Sequence, residues 1–134
     1  MYYILHGNDS NRMKQKLASI KQKHDISQVL VFDCNSSLQS DILAEMDSYS
    51  IFDEKKMLVL ENATFLSSKD GTGYDVNAFI KRQDDSDTTI VVFSCPSEKL
   101  DKRKKAVKEM IAASTVLSCL SLDDHSKREY VMNL

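Results

Sequence analysis

With 134 residues, 42% of them hydrophobic and 28% charged, the chain is long enough for one domain with a sizeable core and has the balance of an ordinary globular protein. A net charge of −2 supplies no overall field that would favour nucleic acid or a membrane surface. Three glycines and one proline leave little room for linkers. No apolar run approaches the ~18 residues of a membrane span, and no basic segment precedes the apolar start at Tyr2 as a secretory leader requires.

In chain order, Tyr2-Tyr3-Ile4-Leu5 reads as a buried strand that turns at Gly7. Asp9 or Ser10 can cap the following helix, whose apolar stripe is Met13, Leu17 and Ile20. Val29-Leu30-Val31-Phe32 is a second apolar run, closed by Asp33. Ser36 and Gln39 have capping-box spacing, and Leu38, Ile42 and Met46, thickened by Leu43, form the next helical stripe. Met57 to Leu60 is a third strand, ending at Glu61-Asn62. Residues 63–74 hold Gly71 and Gly73 and read as a mobile surface loop. Asp75 can cap a short helix with Val76, Phe79 and Ile80 on its apolar side. An acidic turn, 83–87, leads to a β-branched fourth strand from Thr88 to Phe93. After Pro96 a basic segment enters a helix that buries Val107, Met110 and Ile111, and Thr115-Val116-Leu117 is the fifth strand.

Five apolar runs alternating with helical patterns specify an α/β fold: a three-layer, doubly wound, mostly parallel five-stranded sheet with strands covered on both faces. Binding residues of such folds gather at the carboxyl ends of the strands, here Gly7-Asn8-Asp9, Asp33-Cys34, Glu61-Asn62, Ser94-Cys95 and Cys119. A phosphate loop after the first strand needs a second glycine, a lysine and a hydroxyl. Arg12, Met13 and Lys14 occupy those places, and Asp9 would repel a phosphate. Gly7, Asn8 and Asp9 are thus a degenerate nucleotide loop. Glu61 could hold a metal weakly, but Asn62 cannot act as a base, so ATP hydrolysis is not expected and no cofactor or metal site is expected. Cys34, Cys95 and Cys119 are far apart with no C-x-x-C, which fits buried reduced thiols of a cytoplasmic protein and not a catalytic residue.

Tyr49-Ser50-Ile51-Phe52 stands between the second helix and the third strand, and neither explains it. Two adjacent apolar residues at such a junction more often close a core. Against that, the charged run Asp53 to Lys56 calls for water, and consecutive side chains of an extended segment diverge. They are either core closure or a plug offered to a partner. Lys99, Lys102, Arg103, Lys104, Lys105 and Lys108 form a basic cluster. Lys102, Arg103, Lys104 and Lys105 are candidate DNA contacts, although a solvated helix face, interspersed with Glu98, Asp101 and Glu109, is the plainer reading.

Four stretches together resemble one family, the delta subunit of bacterial DNA polymerase III, the sliding-clamp loader. They are Tyr2 to Asp9 (Y-Y-I-L-H-G-N-D), Ser50-Ile51-Phe52, Met57 to Asn62 (M-L-V-L-E-N) and Lys99 to Lys105 (K-L-D-K-R-K-K). The resemblance implies an AAA+-like, P-loop-NTPase-like domain without a working phosphate loop. It also implies a protein that is not itself an enzyme, although the polymerase holoenzyme is a DNA-directed DNA polymerase. Such a domain binds the sliding clamp (beta subunit) and helps open the ring, with Ile51 and Phe52 entering a hydrophobic pocket and Ser50 presenting them. Ile51 stands where the family usually has leucine, and a β-branched side chain is stiffer. Further implied partners are the other loader subunits and, through the assembled loader, DNA, with no membrane. Residues 1–120 would be the clamp-binding domain and 121–134 the truncated start of a following small domain or tail. The alternatives are a nucleotide-binding P-loop-like protein and a generic α/β adaptor in which Ile51 and Phe52 are buried.

Overall fold

Apolar side chains alternate in orientation along each strand, so one sheet can feed two cores. The computed structural model, which describes residues 1–48, 55–83 and 88–119, realises this. Its elements are β1 (Tyr2–Gly7), α1 (Ser10–Lys23), β2 (Gln28–Asp33), α2 (Gln39–Met46), β3 (Lys56–Glu61), a 3₁₀ turn (Thr64–Leu66), α3 (Val76–Ile80), β4 (Thr89–Cys95), α4 (Lys105–Ala112) and β5 (Ser114–Cys119). The strands form a five-stranded sheet in the order β2-β3-β4-β1-β5, and every pairing is parallel. The step from β1 to β2 runs one way along the sheet and every later step the other way. A single crossover hand therefore puts α1 on the opposite face from α2, α3 and α4.

The packing follows that split. Tyr3, Leu5, Met57, Val59, Ile90 and Val92 face Met13, Leu17 and Ile20 of α1. Tyr2, Ile4, Leu58, Leu60, Val91 and Phe93 face Ile42 of α2, Val76 and Phe79 of α3, and Val107 and Met110 of α4. On this second face Phe79 lies 5.1 Å from Phe93 and 5.5 Å from Phe65, ring centre to ring centre, and the Tyr2 hydroxyl donates to the Phe79 carbonyl at 2.7 Å.

The structure corrects several expectations. β2 is not covered on both faces: among the described residues it is an edge strand and α1 is the one helix on its side of the sheet, packing over β1 and β5, so that Val29 and Val31 are 37% and 58% exposed. The Ser36–Gln39 capping box does not form. Leu38 is the residue that precedes α2 and is exposed, not part of the stripe, and the Ser36 hydroxyl donates to the Asp33 carbonyl. The Gln39 amide instead clasps the backbone of Asp75, donating to its carbonyl at 2.7 Å and accepting from its N–H at 2.9 Å, which ties the starts of α2 and α3 together. The segment 63–74 is not one surface loop: Ala63, Phe65 and Leu66 are fully buried. What remains, 68–73, turns around Asp70, whose carboxylate accepts from Thr72 N, Thr72 Oγ1 and Gly73 N. Finally, Lys56, read as part of a solvated charged run, is buried. The acidic residues 84–87, the connection 49–54 and the tail from 120 onward lie outside the described residues.

Candidate functional site

The carboxyl end of β1 is where a protein of this layout binds phosphate, because the N–H groups at the start of α1 point there. Here two of those groups are already taken. The Asp9 carboxylate accepts from Asn11 N at 3.1 Å and Arg12 N at 3.2 Å, and its other oxygen lies 3.6 Å from Arg12 Nε. A negative charge thus sits where a phosphate would. The turn is also pressed against β5. Gly7 has φ +145°, a Cβ there would lie 2.0 Å from the Cys119 carbonyl oxygen, and Asp9 N donates to that same oxygen at 3.0 Å. Only glycine fits this backbone and this approach.

Neighbouring polar groups are committed in the same way. Asn8 Nδ2 donates to Glu98 Oε1 and His6 Nδ1 to the Glu98 carbonyl, each at 2.9 Å. At the end of β3, Asn62 takes the left-handed conformation (φ +59°), which asparagine tolerates. Its amide donates to Asp33 Oδ1 at 2.9 Å. That bond, with one from Asn35 N, holds the Asp33 carboxyl below the usual range. Among the described residues, no three His, Cys, Asp or Glu side chains converge to hold a metal ion. The three cysteines are buried. Desolvation pushes the Cys34 thiol up to about 12 and the Cys95 thiol to about 11, and raises that of Cys119.

The basic cluster divides on inspection. Asp101 N donates to the Leu66 carbonyl at 2.8 Å, which fixes the turn before α4 on the 3₁₀ turn. Arg103 is exposed but pairs with Asp101, Nε to Oδ1 at 3.0 Å, and this bond lowers the Asp101 carboxyl. Lys104 is half-buried and donates to the Ser67 carbonyl at 3.0 Å. Lys102 and Lys105 are exposed. Lys99 and Lys102, with His6, Glu98, Leu100, Ile111 and Val116, line a cleft of about 510 Å³ beside the β1–α1 turn. The degenerate loop and part of the basic cluster are therefore neighbours, whereas Lys104 belongs to the packing of the domain.

Ser50, Ile51 and Phe52 lie outside the described residues, but both flanks of their connection are described. On one side Asp47, after α2, forms a two-point ion pair with Arg82, Nε to Oδ1 at 3.0 Å and Nη2 to Oδ2 at 3.1 Å. On the other, the Lys55 carbonyl accepts from Ser27 N, Gln28 N and Ser27 Oγ. Both flanks are at the amino ends of the strands, opposite the β1–α1 turn. Sequence reasoning missed Arg82 and Lys56. The one available signal was a lysine directly abutting the apolar run of β3.

These features define a class: a doubly wound, parallel α/β domain whose own side chains take the position at the end of β1 where such folds bind phosphate. A family model described as DNA polymerase III, delta subunit, matches residues 3–120, and the chain belongs to that family. It is 22% identical over 142 residues to DNA polymerase III subunit delta of Bacillus subtilis (strain 168), an alignment covering 98% of this chain and 41% of the relative. The solved structure of the Bacillus subtilis DNA clamp loader delta protein has the same fold, with a TM-score of 0.78 at 21% identity, covering 98% of this chain and 42% of that one. The chain thus spans about two fifths of the length of these relatives.

Proposed function

We propose that this chain is the clamp-binding domain of a clamp-loader delta subunit, formed by residues 1–120. In this reading Ile51 and Phe52 insert into a hydrophobic pocket of the ring-shaped sliding clamp, Ser50 presents them, and binding helps hold one ring interface open for DNA. The domain acts as a lever and not as an enzyme, and the ATP that drives loading is bound by other subunits of the loader. The observation that carries the reading is the family match across 3–120, a span that includes the connection 49–54. The Asp9 carboxylate at the start of α1 supports it from the chemical side, because it takes the Asn11 and Arg12 N–H groups and sets a negative charge where an ATP phosphate would lie. A cytoplasmic setting follows from a role in replication. Among the described residues no helix is long and apolar enough to cross a membrane.

The plug is tested by capturing the sliding clamp of the same organism on immobilised wild-type chain and on the Ile51→Ala/Phe52→Ala variant. An apolar anchor of this kind contributes ~2–4 kcal/mol per residue, so the variant should retain no clamp while its circular dichroism is unchanged. Equal capture by both proteins would refute the assignment of these residues. DNA contact is a separate and weaker reading, supported by the exposure of Lys102 and Lys105. It predicts low-salt binding to duplex DNA that disappears in Lys102→Glu/Lys105→Glu.

A further inference from the structure

Among the described residues Lys56 is the only lysine withdrawn from water, at 4% exposure. It opens β3, and its ammonium group reaches back to the end of α2. Nζ donates to the Glu45 carbonyl at 2.6 Å, the Ser48 carbonyl at 3.0 Å and Ser48 Oγ at 3.1 Å, with Glu45 Oε1 at 3.5 Å. An ammonium has three N–H donors and no acceptor, so these partners use it fully. The last carbonyls of a helix have no partner within it and carry partial negative charge. The last turn of α2 contains no basic residue of its own. The cation comes instead from the next strand.

Ser48, after α2, and Lys55, before β3, are the described residues on either side of the connection 49–54. One side chain therefore bridges the two ends of the connection 49–54. The re-entry end is held a second time through the Lys55 carbonyl, and the exit end through Arg82 on Asp47. A chain segment whose ends are already fixed loses less conformational freedom when it binds.

We infer that Lys56 is a positioning residue for clamp binding: by joining Ser48 to the start of β3, it sets the base from which Ile51 and Phe52 are offered. This rests on the clamp-plug reading above. A lysine with only a structural role would move stability and leave the affinity of the folded protein unchanged. A positioning lysine moves affinity and local backbone protection together.

The test titrates purified sliding clamp into the wild-type chain and into Lys56→Met, Lys56→Arg, Ser48→Ala and Phe52→Ala, with amide hydrogen exchange measured on each. Lys56→Met should bind about tenfold more weakly, because the two flanks of the connection are then no longer joined through Nζ. Its amides at 45–48 should exchange faster while those of β1 and β4 are unchanged, and Lys56→Arg should recover most of the affinity. If Lys56→Met does not fold, Ser48→Ala carries the test, since it removes one partner at an exposed position and should weaken binding about two- to threefold. Wild-type affinity in Lys56→Met, or in Ser48→Ala where that variant stands in, overturns the inference when Phe52→Ala has lost binding. Wild-type affinity in Phe52→Ala overturns the plug reading itself, and the inference with it.

Discussion

The two ends of the sheet are built on opposite principles. At the carboxyl ends, polar side chains satisfy one another: Asp9 caps α1, Asn8 and His6 hold Glu98, and Asn62 holds Asp33. At the amino ends, polar groups fasten the two flanks of one connection, with Lys56 on Ser48 and Arg82 on Asp47. The first arrangement closes a site that this fold ordinarily leaves open for a ligand. The second fixes the two described flanks of the connection 49–54. In the proposed reading, the domain keeps a doubly wound layout while its working surface lies at the opposite end of the same strands.

Single substitutions and a change of pH test this contrast. The largest effect is expected at Gly7. Gly7→Ala places a Cβ against the Cys119 carbonyl in a backbone that favours glycine, and should cost on the order of 3–5 kcal/mol in urea unfolding. A normal midpoint would mean that the β1–α1 turn is not pressed against β5.

Next comes alkaline pH. Unfolded thiols ionise near 9.0, whereas folded Cys34 and Cys95 hold their protons to about 12 and about 11. The folded chain retains protons that the unfolded chain releases, so this contribution is complete below pH 9 and is lost as pH rises towards 12. Melting temperature should fall across that window, less steeply in Cys34→Ala than in wild type once each is referred to its own value at pH 8.

Asp9→Ala should cost ~1 kcal/mol, the usual loss of a helix cap. It should still show no ATP-dependent rise in melting temperature, because the glycine, lysine and hydroxyl of a phosphate loop remain absent. A rise would show that Asp9 alone keeps the site shut. The smallest effect belongs to Arg82→Ala, which removes an exposed ion pair and should leave the melting temperature within about a degree of wild type. A modest loss of clamp affinity without that thermal change would add Arg82 to the bracing of the connection.

The sheet was legible because its five strands are apolar runs set off by polar residues, and because Asp9 and Asp75 are caps read directly from residue type. Strand order was not legible, so nothing local announced that Val29 and Val31 fall on an uncovered edge. Phe65 and Leu66 were hidden because a single 3₁₀ turn has no periodicity and lies beside a serine- and glycine-rich loop. Gln39 has capping-box spacing, yet its partner is 36 residues away. Lys56 looked solvated among Asp53, Glu54 and Lys55. Its burial depends on α2 carbonyls that only the folded chain brings near. The departure of the β1–α1 turn from a phosphate loop, by contrast, was readable from the residues at 9, 12, 13 and 14. The plug residues were suggested by their misfit to helix and strand and by the family resemblance.

In the proposed reading, function lies at the α2–β3 connection and not at the β1–α1 turn. Calorimetric titration of one preparation with sliding clamp and, separately, with magnesium ATP tests it most directly, for wild type and Phe52→Ala side by side. The account predicts saturable clamp binding that Phe52→Ala loses, and no heat from ATP in either protein. Clamp binding untouched by Phe52→Ala, together with saturable ATP binding, would contradict it.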